Sequence, residues 1–285
     1  MRLIRSLIAS AMLLSYLSIG IGAACAESLL LQGTIEHSDR LDPLDRYQVG
    51  ATFDEEQLPA NSSCEGNWWR VPSWLAGRWH KKSKLQVLSY TDLQTNQPIP
   101  TPKTVKVQYP EAEVLGHQTD RKGSVWTFVP LPCVGRTYSG PHMNVNIYHS
   151  FDLVEEKKNS MTVRLFLVTL MVSRETNKIV SICQRESLQT WTLQDDDHVE
   201  ILDSVKFFDK DGVPLATKQL LSQSHRCNSY CPVNFLDKRT HRPIANPSLS
   251  SVPASIRDLS YVPLDLRDSF ADYLRNHDLT SLIPQ

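Results

Sequence analysis

The chain has 285 residues, 30 Lys and Arg against 31 Asp and Glu, and a formal charge of −1. That length can bury a large core as one domain or as a domain with an extension. The near-neutral balance carries no electrostatic footprint for nucleic acid.

Residues 1–26 read as a secretory signal peptide. Arg2 and Arg5 form a basic start, Leu7 to Ile21 an apolar stretch diluted by Ser10, Ser15 and Ser18, and Ala24-Cys25-Ala26 a small-residue cleavage site. The expected product begins at Glu27 and is secreted or periplasmic. Lipid anchorage through Cys25 is the minor alternative, because Gly22 stands where such signals usually carry a large aliphatic residue. Removing this segment takes two arginines and no acid, so the mature chain is slightly acidic. No later stretch is long and apolar enough to span a bilayer as a helix.

Residues 27–65 are polar, rich in Asp and weakly patterned, and are expected to form an extended N-terminal arm with a short strand at Leu29–Ile35. Asn61-Ser62-Ser63 matches a glycosylation acceptor. The stretch from Gly66 to Trp79 then holds four of the six tryptophans, a density that fills a core or lines a ligand surface. Within it, Leu75-Ala76-Gly77-Arg78-Trp79, opening a series of antiparallel strands, resembles the G-x-W signature at the first strand of lipocalins and related calycin barrels. The resemblance implies that Trp79 closes one barrel end and packs against a basic side chain from a late strand, for which Arg185 and Lys206 are candidates.

Lys84–Asp92, Thr104–Tyr109, Glu113–His117 and Ser124–Val129 are predicted strands, bounded by Pro98, Pro100, Pro102 and Pro110. Pro130 to His142, with Cys133, Gly135 and Gly140, reads as a long crossing or mouth loop. From Asn144 the alternation becomes clean: Val145, Ile147, Phe151 and Leu153 share a strand with polar residues between them. Glu155 to Ser160 turns the chain, and Met161–Ser173 is apolar on both faces and β-branched, hence the most deeply buried strand. Glu175 to Lys178 is a second turn before Ile179–Leu193, a strand interrupted near Ser187 and unusually polar at Cys183-Gln184-Arg185-Glu186. Val199, Ile201, Val205 and Phe207 share one face of the next strand, which ends in the tight turn Asp209-Lys210-Asp211-Gly212.

Together these elements define a β domain over 66–221, mainly β: an antiparallel meander forming a calycin-like barrel or a sandwich, with roughly eight strands, enough for a barrel to hold one small ligand. Residues 222–285 form a Pro-rich wrap ending in an α-helix, where Leu266, Phe270, Tyr273 and Leu274 recur at helical spacing behind Asp265.

Five cysteines survive signal removal, and in an exported protein Cys64, Cys133, Cys227 and Cys231 are disulfide candidates, with Cys183 the one left free. Cys227 and Cys231 lie close enough in sequence for a small closed loop, and His225 beside them makes a metal site a lesser alternative. Neither H-E-x-x-H nor G-x-S-x-G occurs, Ser139-Gly140-Pro141-His142 is loop composition, and the Asp209 to Gly212 run lacks the rest of a calcium loop. No catalytic residue, cofactor or metal is therefore assigned. Alternation sends Arg185 to the opposite face from Gln184 and Glu186, so at least one charge points inward and must be paired or meet a wet cavity. The expectation is a non-catalytic protein binding a small, partly apolar ligand with Trp79, Trp126, Arg185 and Trp191. The alternative is an envelope or extracellular interaction protein with a filled core.

Overall fold

The computed structural model describes residues 36–59, 66–107, 112–237, 243–244 and 264–284. The predicted signal peptide, the Leu29–Ile35 strand, the Asn61 acceptor and Cys64 lie outside the described residues.

Six strands supply the frame. They are β9 (Cys133–Ser139), β10 (His142–Glu156), β11 (Ser160–Ser173), β12 (Ile179–Asp195), β13 (His198–Phe208) and β14 (Pro214–Ser229). Each pairs antiparallel with the next, and β14 continues into β3 (Lys84–Asp92) and β2 (Gly77–Lys81). Short strands extend the edge: β4 (Gln97–Pro98) and β5 (Thr104–Lys106) pair with β3, and β6 (Glu113–Leu115) pairs with β2. The ladder does not close on itself among the described residues, since β9 ends one side and β4, β5 and β6 the other. The protein is thus mainly β and antiparallel, with no closed barrel among the described residues.

The register assigns faces, because residues directly opposite in an antiparallel pair point the same way. Trp191 lies opposite Met161 on one side and Ile201 on the other, so these three mark the inner face. Their apolar cluster is completed by a second sheet of β1 (Gly66–Val71), β8 (Val125–Pro130) and β7 (Gln118–Thr119), which contributes Trp69, Val71 and Val125. Alternation puts the other face of that small sheet, Trp68 and Phe128, against the helix α1 (Leu266–Asn276), whose Leu266, Phe270 and Leu274 are buried. Asp265 caps this helix by accepting from Arg267 N, as its position before an amphipathic run leads one to expect. The pair β15 (Phe235–Leu236) and β16 (Leu264–Asp265) holds the helix entry.

The outer face of β10, β11 and β12 is apolar as well. Val145, Ile147, Val168, Leu170, Val172 and Ile182 would be wet were they not covered by Tyr47 and Phe53 of the N-terminal arm. The arm has no strand of its own in residues 36–59 and lies across the sheet by scattered bonds, among them Leu44 N to Lys210 O and Phe53 N to Asn177 O. A strand apolar on both faces thereby has an apolar layer on each, which explains the double-sided pattern of Met161–Ser173.

Three expectations need correcting. Residues 130–142 are not a crossing loop: after Pro132, Cys133–Ser139 forms edge strand β9 and turns tightly into β10, and an edge is where breakers such as Gly135 are tolerated. Strand β12 is continuous through Ser187, which pairs on both sides. The chain beyond Leu221 is not irregular at once, because β14 runs on to Ser229.

Candidate functional site

At one end the inner face is filled. Trp79 is buried with its Nε1 donating to Leu75 O at 2.8 Å, and the guanidinium of Arg226 stacks 4.5 Å from its ring centroid. Arg226 also donates from Nη1 to Ala76 O at 2.7 Å and from Nη2 to Trp74 O, clamping the chain that leads into β2. Gly77 sits between these groups at a φ of +146°, where an added Cβ would lie 2.8 Å from Asn228 O. The glycine, the tryptophan and the arginine form one joint, in which the close approach forbids a side chain at the first position.

Away from that joint the inner face turns polar. Going across the strands, the register places Tyr90, Lys218, Asp203, Phe207, Arg185, Leu167 and Tyr148 on it. All are half-buried, neither packed solid nor fully wet. Lys218 Nζ lies 5.2 Å from the Tyr90 ring centroid, Tyr90 lies 6.1 Å from Phe207, and the Arg185 guanidinium lies 5.5 Å from Phe207. The four side chains thus run as cation, ring, ring, cation. Tyr90 and Phe207 touch although their strands, β3 and β13, are separated by β14, a flat spacing of about 9.6 Å. The charge of Arg185 is felt by Tyr90 and Tyr148, on strands at opposite sides of β12. A sheet curled toward its inner face brings such distant strands together.

The electrostatics describe a sheltered but water-accessible surface. Burial raises the phenols of Tyr90 and Tyr148 and the carboxyl of Asp203 above their ordinary ranges, and lowers Lys218, which Arg185 depresses further. Glu113, opposite Trp79 on β6, is exposed to solvent and lies in the field of Lys81. Asp203 accepts from Ser187 Oγ at 2.5 Å and from Gln189 Nε2 at 3.4 Å. The Arg185 Nε is buried with no hydrogen-bond partner among the described residues.

The opposite face of β12 is finished differently. The Glu186 side chain has no exposure at all, and its carboxylate accepts from Ser38 N at 2.7 Å and from Ser38 Oγ at 3.2 Å. It also lies 3.1 Å from His37 Nδ1 and 3.1 Å from Arg164 Nε, the latter an ion-pair contact rather than an aligned hydrogen bond. Burial alone would raise this carboxyl, but the bonds from His37 and Ser38 and the Arg164 charge hold it below the usual range. Lys206 donates to Ser38 O at 2.7 Å, and Gln184 to Asp42 O at 2.9 Å, so this stretch of β12 and β13 fastens the arm.

Other candidates resolve into structure. His117, buried between β6 and β7, has its Nδ1 bonded to Phe128 N at 3.0 Å and Thr127 Oγ1 at 2.8 Å, and burial lowers it to about 4. It is a neutral joint between the two sheets, with its backbone N donating to Trp126 O. Trp79 and Trp191 are packed in the filled end, while Trp126 faces α1, 5.7 Å from Phe270, with its Nε1 on Asp120. Of the four residues expected to meet a ligand, only Arg185 lies in the half-buried, polar part of the inner face. Nor is Arg185 or Lys206 the partner of Trp79, a place taken by Arg226 because β14, not β12 or β13, runs beside β2. Lys218, Tyr90, Tyr148 and Asp203 escaped the sequence reasoning.

Cys133, Cys183, Cys227 and Cys231 are all free. The closed loop expected between Cys227 and Cys231 is not made: Cys227 lies in extended chain, where a rise of about 3.3 Å per residue carries sequence neighbours beyond disulfide reach. Among the described residues no group of His, Cys, Asp and Glu is arranged to hold a metal. Compared with protein-family models, curated proteins and solved structures, the chain matches none.

Proposed function

We propose that this is an exported, non-catalytic protein that binds a small, partly apolar ligand on the inner face of the curled sheet, in a plan of the calycin type. The observation that carries this is the run of Lys218, Tyr90, Phe207 and Arg185, half-buried rather than packed, beside the filled joint of Trp79 and Arg226. Aromatic walls with a few fixed polar groups are what a small-molecule site requires. Leu167 and Leu220 lie on the same inner face and add apolar surface. The joint of Gly77, Trp79 and Arg226 supports the calycin-type plan, since it closes one end of the inner face and leaves the rest to a guest.

The test is native mass spectrometry of the chain from Glu27, expressed in an oxidising compartment, beside a denatured sample. A co-purified small mass lost on denaturation is expected. A bare protein that also fails to take up an apolar fluorescent probe would sink the proposal and leave a filled interaction module in its place.

A further inference from the structure

From the charge left over on this face we infer that the ligand is an organic anion, an oxyanion head group on an apolar body, with the head held by Arg185 and Lys218; this rests on the inner-face binding proposed above. Arg185 and Lys218 form no ion pair among the described residues. Each rests instead on a ring, Arg185 on Phe207 and Lys218 on Tyr90.

The acids within reach are already committed. Asp203 is bonded to Ser187 and Gln189 and sits in the field of Lys81, which also acts on Glu113. At the rim, Asp92 accepts from Gln94 N and Thr95 N at 2.8 Å each. Two cations sheltered together repel, as the lowering of Lys218 by Arg185 records. An anion between them removes that repulsion and satisfies the buried Arg185 Nε. A neutral oxygen could meet the Nε but would leave the repulsion, and a cationic guest would add to it. The planar guanidinium suits a carboxylate, sulfonate or phosphate oxygen pair, and the adjoining rings and leucines suit an apolar body.

Two probes that differ by a single sulfonate group test this: 1-anilinonaphthalene-8-sulfonate and the uncharged N-phenyl-1-naphthylamine, titrated by fluorescence against the full mature chain. The sulfonate should bind about ten-fold more tightly or better, the discrimination that a charge-assisted hydrogen bond gives. Arg185→Gln and Lys218→Met should each weaken the sulfonate by about ten-fold and leave the neutral probe within about two-fold. An unchanged melting temperature establishes that each variant is folded. Equal binding of the two probes, indifferent to both substitutions, overturns the anion while leaving ligand binding standing. Binding of neither probe overturns both.

Discussion

Arg185 and Glu186 are neighbours in sequence and opposites in treatment. Glu186 points to the outer face of β12, where the arm brings His37 and Ser38 to it and β11 brings Arg164, so that a carboxylate with no exposure is surrounded by donors. Arg185 points to the inner face, lies on the Phe207 ring, and keeps an Nε with no hydrogen-bond partner among the described residues. A sheltered charge must be paired or meet water. One side of the strand answers with a carboxylate ringed by donors, and the other, among the described residues, with a ring and a thiol but no counter-charge. A fold that can satisfy a buried charge so fully on one face has no general difficulty in doing so, which makes the unpaired cation on the other face informative.

The largest expected effect therefore lies on the closed side. Glu186→Ala strips His37, Ser38 N and Arg164 of their common acceptor, and breaking such a buried set should cost about 3–4 kcal/mol in urea unfolding. Because the same bonds fasten the arm over Val145, Ile147 and Leu170, hydrogen exchange at residues 36–59 should rise more than in the sheet. Full protection of those amides in the variant would show that the apolar contacts alone hold the arm.

Acid should imitate the substitution. The folded carboxyl of Glu186 is lowered, so the unfolded chain binds the proton more readily, and the stability due to it is complete above the ordinary carboxylate range. It is lost as pH falls through that range and then through the lower folded value. Between about pH 5 and 3, stability of the native chain should fall more steeply than that of Glu186→Ala. Parallel curves would remove Glu186 from the account.

The inner face has its own paired cation, Arg226, and it offers the sharper contrast with Arg185. Arg226→Ala loses three hydrogen bonds to carbonyls, those of Ala76, Trp74 and Asp196, and the stack on Trp79, about 2–3 kcal/mol in total. Arg226→Lys keeps the charge but not the fork, and should recover only a minor part. Equal stability of Lys and Arg at this position would mean that charge alone, not the hydrogen bonds to Ala76, Trp74 and Asp196, closes the end of the sheet.

Much of the frame was legible from alternation. The strands from Asn144 to Phe208 repeat with period two, and the double-sided apolar run of Met161–Ser173 announces a second covering layer. What covers it was not legible, because residues 36–59 bind through backbone groups and scattered side chains, and such an arm needs no period. Prolines after Leu221 hid the end of β14 and with it Arg226, so the resemblance around Gly77 and Trp79 pointed to a basic partner without locating it. Edge strand β9 was concealed by the same kind of breaker. Alternation did place Arg185 and Glu186 on opposite faces. It could not join Lys218 and Tyr90 to Arg185, since that meeting depends on how far a sheet curls across four strands and on no local pattern.

The smallest effect is the most informative about the open face. If Arg185 were a structural pillar like Arg226, Arg185→Gln would cost several kcal/mol. As a sheltered cation beside Lys218 with no counter-charge among the described residues, it contributes repulsion and an unmet Nε donor, and against that a ring contact of about 1 kcal/mol and a weak hydrogen bond with the Cys183 thiol. Ligand-free Arg185→Gln should therefore unfold within about 0.5 kcal/mol of the parent chain, or slightly later, as groups held ready for a guest often do when replaced. Removing it should also relieve Lys218, whose amine then titrates closer to its ordinary value, a change that nitrogen-detected NMR can follow. A variant markedly less stable than the parent would mean that Arg185, like Glu186 behind it, is already satisfied within the protein, and the difference between the two faces of β12 would disappear.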